Sequence, residues 1–157
     1  MGKWQLLVLT AIYLIFALIF GGLNAYYLDR DIDSLIDRAQ VAGNAEDMLG
    51  YMTQLKHNME SYGMTSGYTA LVFKTPRNDM SLHYKTVTRV IERLEKIKGL
   101  SENETTYQVA LNDLRGVIRE LPNPADGWFY VKYFWWLLLI GTVLIGLTFW
   151  AFYADPY

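Results

Sequence analysis

Apolar residues fall into three regimes along this chain. The 25 residues from Trp4 to Leu28 carry no formal charge, and neither do the 22 from Tyr133 to Ala154. Between these runs, apolar and polar residues alternate at helical spacing. A helix needs about 20 apolar residues to cross the hydrocarbon core, and there it satisfies its own backbone amides and carbonyls without water. In a soluble protein both runs would have to be buried on every side, which 157 residues cannot do. The pattern predicts an all-α membrane protein, with transmembrane helices over 4–28 and 128–154 and an extramembrane domain over 29–126.

Within that domain, Leu28, Ile32, Leu35, Ala39 and Ala42 recur at steps of four and three, one face of a helix over 29–42 that continues the first span as a stalk. Gly43 is a stop signal, and Asn44 with Asp47 a new N-cap. A helix over 45–62 follows, carrying Met48, Met52, Leu55 and Met59 on one side. Another is expected over 80–98, with Tyr84, Val87, Ile91 and Leu94 aligned. Ser101 and Glu104 match a capping box for the last, over 102–121. Pro122, Asn123, Pro124 and Gly127 read as an elbow into the second span. About four helical segments on short connections predict a small antiparallel bundle. The exception is the long loop 63–78, whose apolar run Ala70-Leu71-Val72-Phe73 suggests a short strand or a plug over the bundle. Loops of this length are often functional.

Aromatic residues strengthen the membrane reading. Trp4, Tyr26 and Tyr27 flank the first run; Trp128, Phe129, Tyr130, Tyr133, Trp135 and Trp136 open the second; Trp150, Phe152, Tyr153 and Tyr157 close it. Such clusters belong at headgroup level. The first run exceeds a signal-peptide core and lacks a small-x-small cleavage site, so a retained anchor is expected. Lys3 favours a cytoplasmic N-terminus, and Asp29, Asp31, Asp33 and Asp37 make the first domain-side flank acidic. Both termini are therefore expected in the cytoplasm and the domain outside it, in a bacterial inner membrane. Only three residues precede Trp4 and three follow Ala154, so no output module is expected on that side. The layout resembles in outline the ligand-binding half of a bacterial chemoreceptor, without a motif that would assign the family.

Chemistry is sparse. There is no glycine-rich phosphate loop, nucleophile elbow or HExxH motif, and a non-catalytic role is expected. With 12 basic and 15 acidic residues from Asp29 to Asp126, the domain offers no basic face for nucleic acid. Cysteine is absent, which removes disulfides and thiolate metal sites. His57, Met59, Met64, Met80 and His83 gather around the long loop, and thioether with imidazole suits Cu(I). The plainer account is core packing, since methionines at helical spacing fill irregular gaps. Phe73, Lys74 and Arg77 on the long loop are candidate partner contacts. Ala17, Gly21 and Ala25 form a small-residue face in the first span, and Thr142 and Gly146 form one in the second. Such faces let helices approach closely, whether against each other or against a partner. Neither span holds a charge, as an ion path would require.

The resulting expectation is an accessory or assembly subunit of a multi-subunit membrane complex, in contact with the lipid bilayer and other membrane subunits. Two alternatives stand beside it: a ligand-sensing module that signals laterally through its spans, and a Met/His copper-handling protein.

Overall fold

The computed structural model describes residues 2–101, 103–121 and 125–154. Among them every extended element is helical: α1 (Lys3–Leu28), a π-helical turn (Asp29–Asp33), α2 (Ser34–Val41), α3 (Ala45–Ser61), a 3-10 turn (Pro76–Asn78), α4 (Met80–Ile97), α5 (Thr105–Arg119) and α6 (Ala125–Ala154). Two helical stretches, Lys3–Val41 and Val131–Tyr153, are long and apolar enough to cross a membrane. The chain divides into two compact units, one of residues 1–26 with 129–157 and the other of residues 27–128.

In the first unit α1 and α6 pair through a narrow contact. The Thr10 and Thr148 hydroxyls share a 2.9 Å hydrogen bond, and the Tyr13 hydroxyl donates to the Leu137 carbonyl at 2.5 Å. Trp4 meets Phe152 edge-on, and Phe20 meets both Phe129 and Tyr133. The outer faces stay open, with Leu18 77% and Phe149 68% exposed.

The second unit is a four-helix bundle in which each helix has two neighbours: α2 packs on α3 and α5, and α4 packs on the same two. Its core takes Ile32, Leu35, Ile36 and Ala39 from the first arm (the π turn and α2) and Met48, Met52, Leu55 and Met59 from α3. Met80, Val87, Val90 and Leu94 come from α4, and Tyr107, Leu111, Leu114 and Ile118 from α5. At one end, the Tyr107 hydroxyl accepts the Ala45 N–H (2.8 Å) and Arg115 donates to the Ala42 carbonyl (2.6 Å). These side chains of α5 satisfy backbone groups that the α2–α3 turn leaves open. At the other end, the Tyr84 hydroxyl donates to Glu60 at 2.6 Å, linking the start of α4 to the end of α3.

Several boundaries differ from the sequence expectation. The stretch 29–42 is a stalk on the first apolar helix, with α1 continuing through the π turn into α2. The stop comes at Ala42, whose φ of −57° and ψ of 134° leave the helical region, one residue before Gly43. Asn44 caps α3 by accepting the Asp47 N–H at 2.8 Å. Helix α5 begins at Thr105 rather than 102, because Glu104 donates its N–H to the Ser101 carbonyl (3.0 Å) in a turn and its side chain makes no cap. Helix α6 begins at Ala125, ahead of the expected 128. The elbow at Pro122, Asn123 and Pro124, and the terminal Tyr157, lie outside the described residues.

Candidate functional site

The densest polar cluster of the bundle unit lies at the π turn, where the chain enters it. The sequence there is Asp-Arg-Asp-Ile-Asp, and the Ser34 N–H reaches the Asp29 carbonyl across a widened turn. A π turn inserts one residue into the helix and leaves backbone groups seeking other partners. The Asn58 side-chain amide donates to the Asp31 carbonyl at 2.7 Å, and the Ser34 hydroxyl donates to the Arg30 carbonyl. The Tyr62 hydroxyl donates to Asp31 Oδ2 at 2.7 Å, while Arg30 Nε and Nη2 hold the same carboxylate at 2.6 and 3.1 Å. The Arg30 guanidinium also lies 5.1 Å from the centre of the Tyr27 ring. Ile32 stays in the core, and Asp33 beside it is buried as well.

Charge at this cluster is held in one form. The Arg30 hydrogen bond, aided by Tyr62, keeps the Asp31 carboxyl below the usual carboxylate range. Burial, with Asp31 as acceptor, raises the Tyr62 phenol above its usual range. Asp31 is therefore an acceptor and Tyr62 a donor across the neutral range.

The long loop begins at the same end. Helix α3 closes with Gly63 in the left-handed region (φ 74°), the Gly63 N–H on the Glu60 carbonyl (3.0 Å) and the Met64 N–H on the Met59 carbonyl (2.7 Å). That double bond pattern reverses the chain, with Met59 and Met64 both buried beneath it. The loop's base is then pinned: Thr69 N–H donates to the Asn78 carbonyl and Met80 N–H to the Gly67 carbonyl, each at 2.9 Å. Gly67 (φ 96°) lies against the Trp128 ring, and a Cβ at Gly127 would collide with the Thr69 carbonyl oxygen. Above this base the Asn78 amide holds the Phe73 carbonyl (2.7 Å), and the Lys74 ammonium sits 5.1 Å from the Tyr68 ring centre. The side chains of Val72 and Phe73 are 77% and 80% exposed, and Leu71 is exposed too. The apolar run is therefore neither a strand nor a plug. Its backbone is spent on closing a loop, and its side chains point off the bundle.

The copper candidates divide into three that meet and two that do not. Met59, Met80 and His83 border one central void of about 10 Å³, room for at most one water. Met64 is buried nearby in sequence, whereas His57 is exposed. His57 and Met59 are two residues apart on α3, so they face different ways. His83 Nε2 lies 2.8 Å from the Arg77 carbonyl. Among the described residues no three His, Asp or Glu side chains gather as a metal set.

The two small-residue faces have different fates. Ala17, Gly21 and Ala25 lie on the less exposed side of α1, with Gly21 buried. Thr142 and Gly146 are exposed, and nothing lies within 4 Å of where a Gly146 Cβ would stand. Gly141 serves α6 instead, since its Cβ would sit 3.3 Å from the Tyr13 ring. Sequence reading missed Gly141 and Tyr13, since nothing in either span alone marks which small residue faces which ring. It also missed Asp31, Asn58 and Tyr62, because nothing in spacing alone marks a π turn.

Comparison with protein-family models, curated proteins and solved structures gives no match to this chain.

Proposed function

We propose that this chain is an integral membrane protein that serves as a non-catalytic accessory or assembly subunit of a larger membrane complex. Its termini lie in the cytoplasm and its bundle outside, in a bacterial inner membrane. The observation that carries this reading is the open outer surface of the α1–α6 pair. These helices bury little against each other, and Thr142 and Gly146 face away from α1. An apolar surface of that extent far exceeds the few hundred Å² or so that a soluble monomer leaves exposed. Lipid covers most of it, and the Thr142–Gly146 face offers a second helix close approach.

The filled bundle favours recognition by surface over capture of a small molecule. Where four helices meet at the loop end, the void among Ile32, Leu55, Met80 and their neighbours is about 10 Å³, far below the 300 Å³ or so of a ligand pocket. A sensing role would fall instead to the surface groove of about 450 Å³ between α4 and α5, lined by His83, Arg89, Arg93 and Glu120 among others, and copper binding at Met59 and Met80 would need the core to open. Purification of the tagged full chain in mild detergent, followed by mass spectrometry, tests the proposal. Stoichiometric membrane companions are expected, and their number should fall when Gly146→Leu blocks the open face. A clean monomer from the native membrane would overturn it.

A further inference from the structure

We infer that the tip of the long loop, Leu71-Val72-Phe73, inserts into the lipid interface, with Lys74 and Arg77 at the phosphates of anionic headgroups. This rests on the membrane reading above.

Position is the first support. The bundle unit begins at Tyr27 and ends at Trp128, the two points where the chain passes into the apolar helices. The loop belongs to that end. Tyr62, just before the loop, bonds Asp31, four residues from the entry; Gly67 and Thr69 touch Trp128 and Gly127 at the exit. Leu71 is two residues beyond Thr69, so the chain places it within roughly 7 Å of that contact and Phe73 within roughly 14 Å. Interfacial segments bury their apolar groups about 5–10 Å deep, a depth within the length of this tip.

Chemistry is the second. The loop backbone is organised by Asn78 and the 3-10 turn rather than by contacts of the tip. Three large apolar side chains are thus held outward at little further ordering cost. Flanking them in the chain are Tyr68, Lys74 and Arg77, and the aromatic–cation pair of Tyr68 with Lys74 is the composition of a headgroup-level anchor. No acidic residue occurs from Gly63 to Asn78, so nothing in the loop repels an anionic surface.

The chain has no cysteine, which permits single spin labels in the full-length protein. Phe73→Cys, Leu18→Cys and Val41→Cys would each be labelled and reconstituted in nanodiscs of phosphatidylethanolamine and phosphatidylglycerol. Collision with oxygen, which partitions into lipid, is compared with collision with a water-soluble nickel chelate. The Phe73 label should favour oxygen as the Leu18 label does, while the Val41 label favours nickel. Replacing Lys74 and Arg77 by Ser should move the Phe73 label toward nickel several-fold. Nickel preference at Phe73 with oxygen preference at Leu18 would overturn the insertion and leave the membrane reading standing. Nickel preference at both would overturn the two together. An immobilised Phe73 label shielded from both reagents would mean that a protein surface covers the tip, and would also overturn the inference.

Discussion

The Tyr62 hydroxyl donates a 2.7 Å hydrogen bond to the Asp31 carboxylate, joining the last turn of α3 to the π turn. Asn58, one helical turn earlier, bonds the backbone carbonyl of the same aspartate. Two side chains of α3 thus fix one residue of the first arm. A hydrogen bond to a charged group contributes about 1.5–3 kcal/mol and a neutral one about 1 kcal/mol. Tyr62→Phe and Asn58→Ala should each lower the Tm of the purified protein, Tyr62→Phe more. Because both act on Asp31, the double variant should depart from the sum of the two. Strict additivity in thermal unfolding would mean that the two bonds act on Asp31 independently of each other.

The same bond makes a prediction about pH. Asp31 is lowered in the folded state by Arg30 and Tyr62, so its contribution is full above the ordinary carboxylate value of 3.8 and is lost as pH falls through the lowered folded value. Tyr62 is raised by burial and Asp31, so its contribution is full below the ordinary value of 10.0 and is lost as pH rises beyond it. Stability due to the pair is therefore level across the neutral range and falls at both edges. In Tyr62→Phe the alkaline loss belonging to this phenol should vanish, and the acid loss should become smaller and finish at higher pH, its onset still set by the ordinary carboxylate value. Tm measured against pH for the two proteins checks both arms.

How much of this was legible in sequence differs by level. The all-helical class and the two apolar helices follow from uncharged run length and from apolar spacing, which depend on local order alone. The inward positions of the first arm were legible too: Leu28, Ile32, Leu35, Ala39 and Ala42 are all buried. The π turn was not legible, because it keeps Leu28 and Ile32 at ordinary spacing and depends on Asn58 and Tyr62, about 30 residues away. The start of α5 was misread because Ser101 and Glu104 fit a capping box in sequence yet form a turn. Phe73 read equally well as buried or exposed; the hydrogen bonds of Asn78, five residues on, decide which.

Core packing can be tested at one helix. Leu111 is fully buried on α5, whereas Val109, two residues earlier, is 63% exposed. Leu111→Ala removes packed methylenes and should cost about 2–5 kcal/mol. Val109→Ala should stay within about 0.5 kcal/mol of the parent. Comparable losses at the two sites, read by thermal or urea unfolding, would mean that α5 is rotated from the face described.

Two glycines should respond in opposite directions. Gly50 lies exposed in the middle of α3, with nothing within 4 Å of where its Cβ would be. Gly50→Ala should therefore stabilise the bundle by about 0.5–1 kcal/mol, through helix propensity alone. At Gly127 a Cβ would strike the Thr69 carbonyl oxygen, so Gly127→Ala must push the loop base from the start of α6. Its Tm should fall, and proteolysis within 63–78 should accelerate. Equal behaviour of the two variants would remove the loop base contact from the description.

The α1–α6 pairing rests on which face of α6 is turned inward, and a cysteine pair decides it. The Thr10 and Thr148 hydroxyl oxygens are 2.9 Å apart, so the two side chains meet tip to tip across the pair, where a disulfide can form. In a chain with no native cysteine, Thr10→Cys with Thr148→Cys should oxidise to an intramolecular bridge in nearly every molecule. Thr10→Cys with Thr142→Cys should not, because Thr142 is exposed and its hydroxyl donates to the Leu138 carbonyl of its own helix. Gly141→Leu should reduce the first bridge several-fold, since its side chain would occupy the space of the Tyr13 ring and displace the bond from Tyr13 to the Leu137 carbonyl. Gly146→Leu should leave the bridge intact while weakening capture of companion subunits. Bridging through Thr142 would instead turn the small-residue face inward, and the surface proposed for a partner helix would no longer exist.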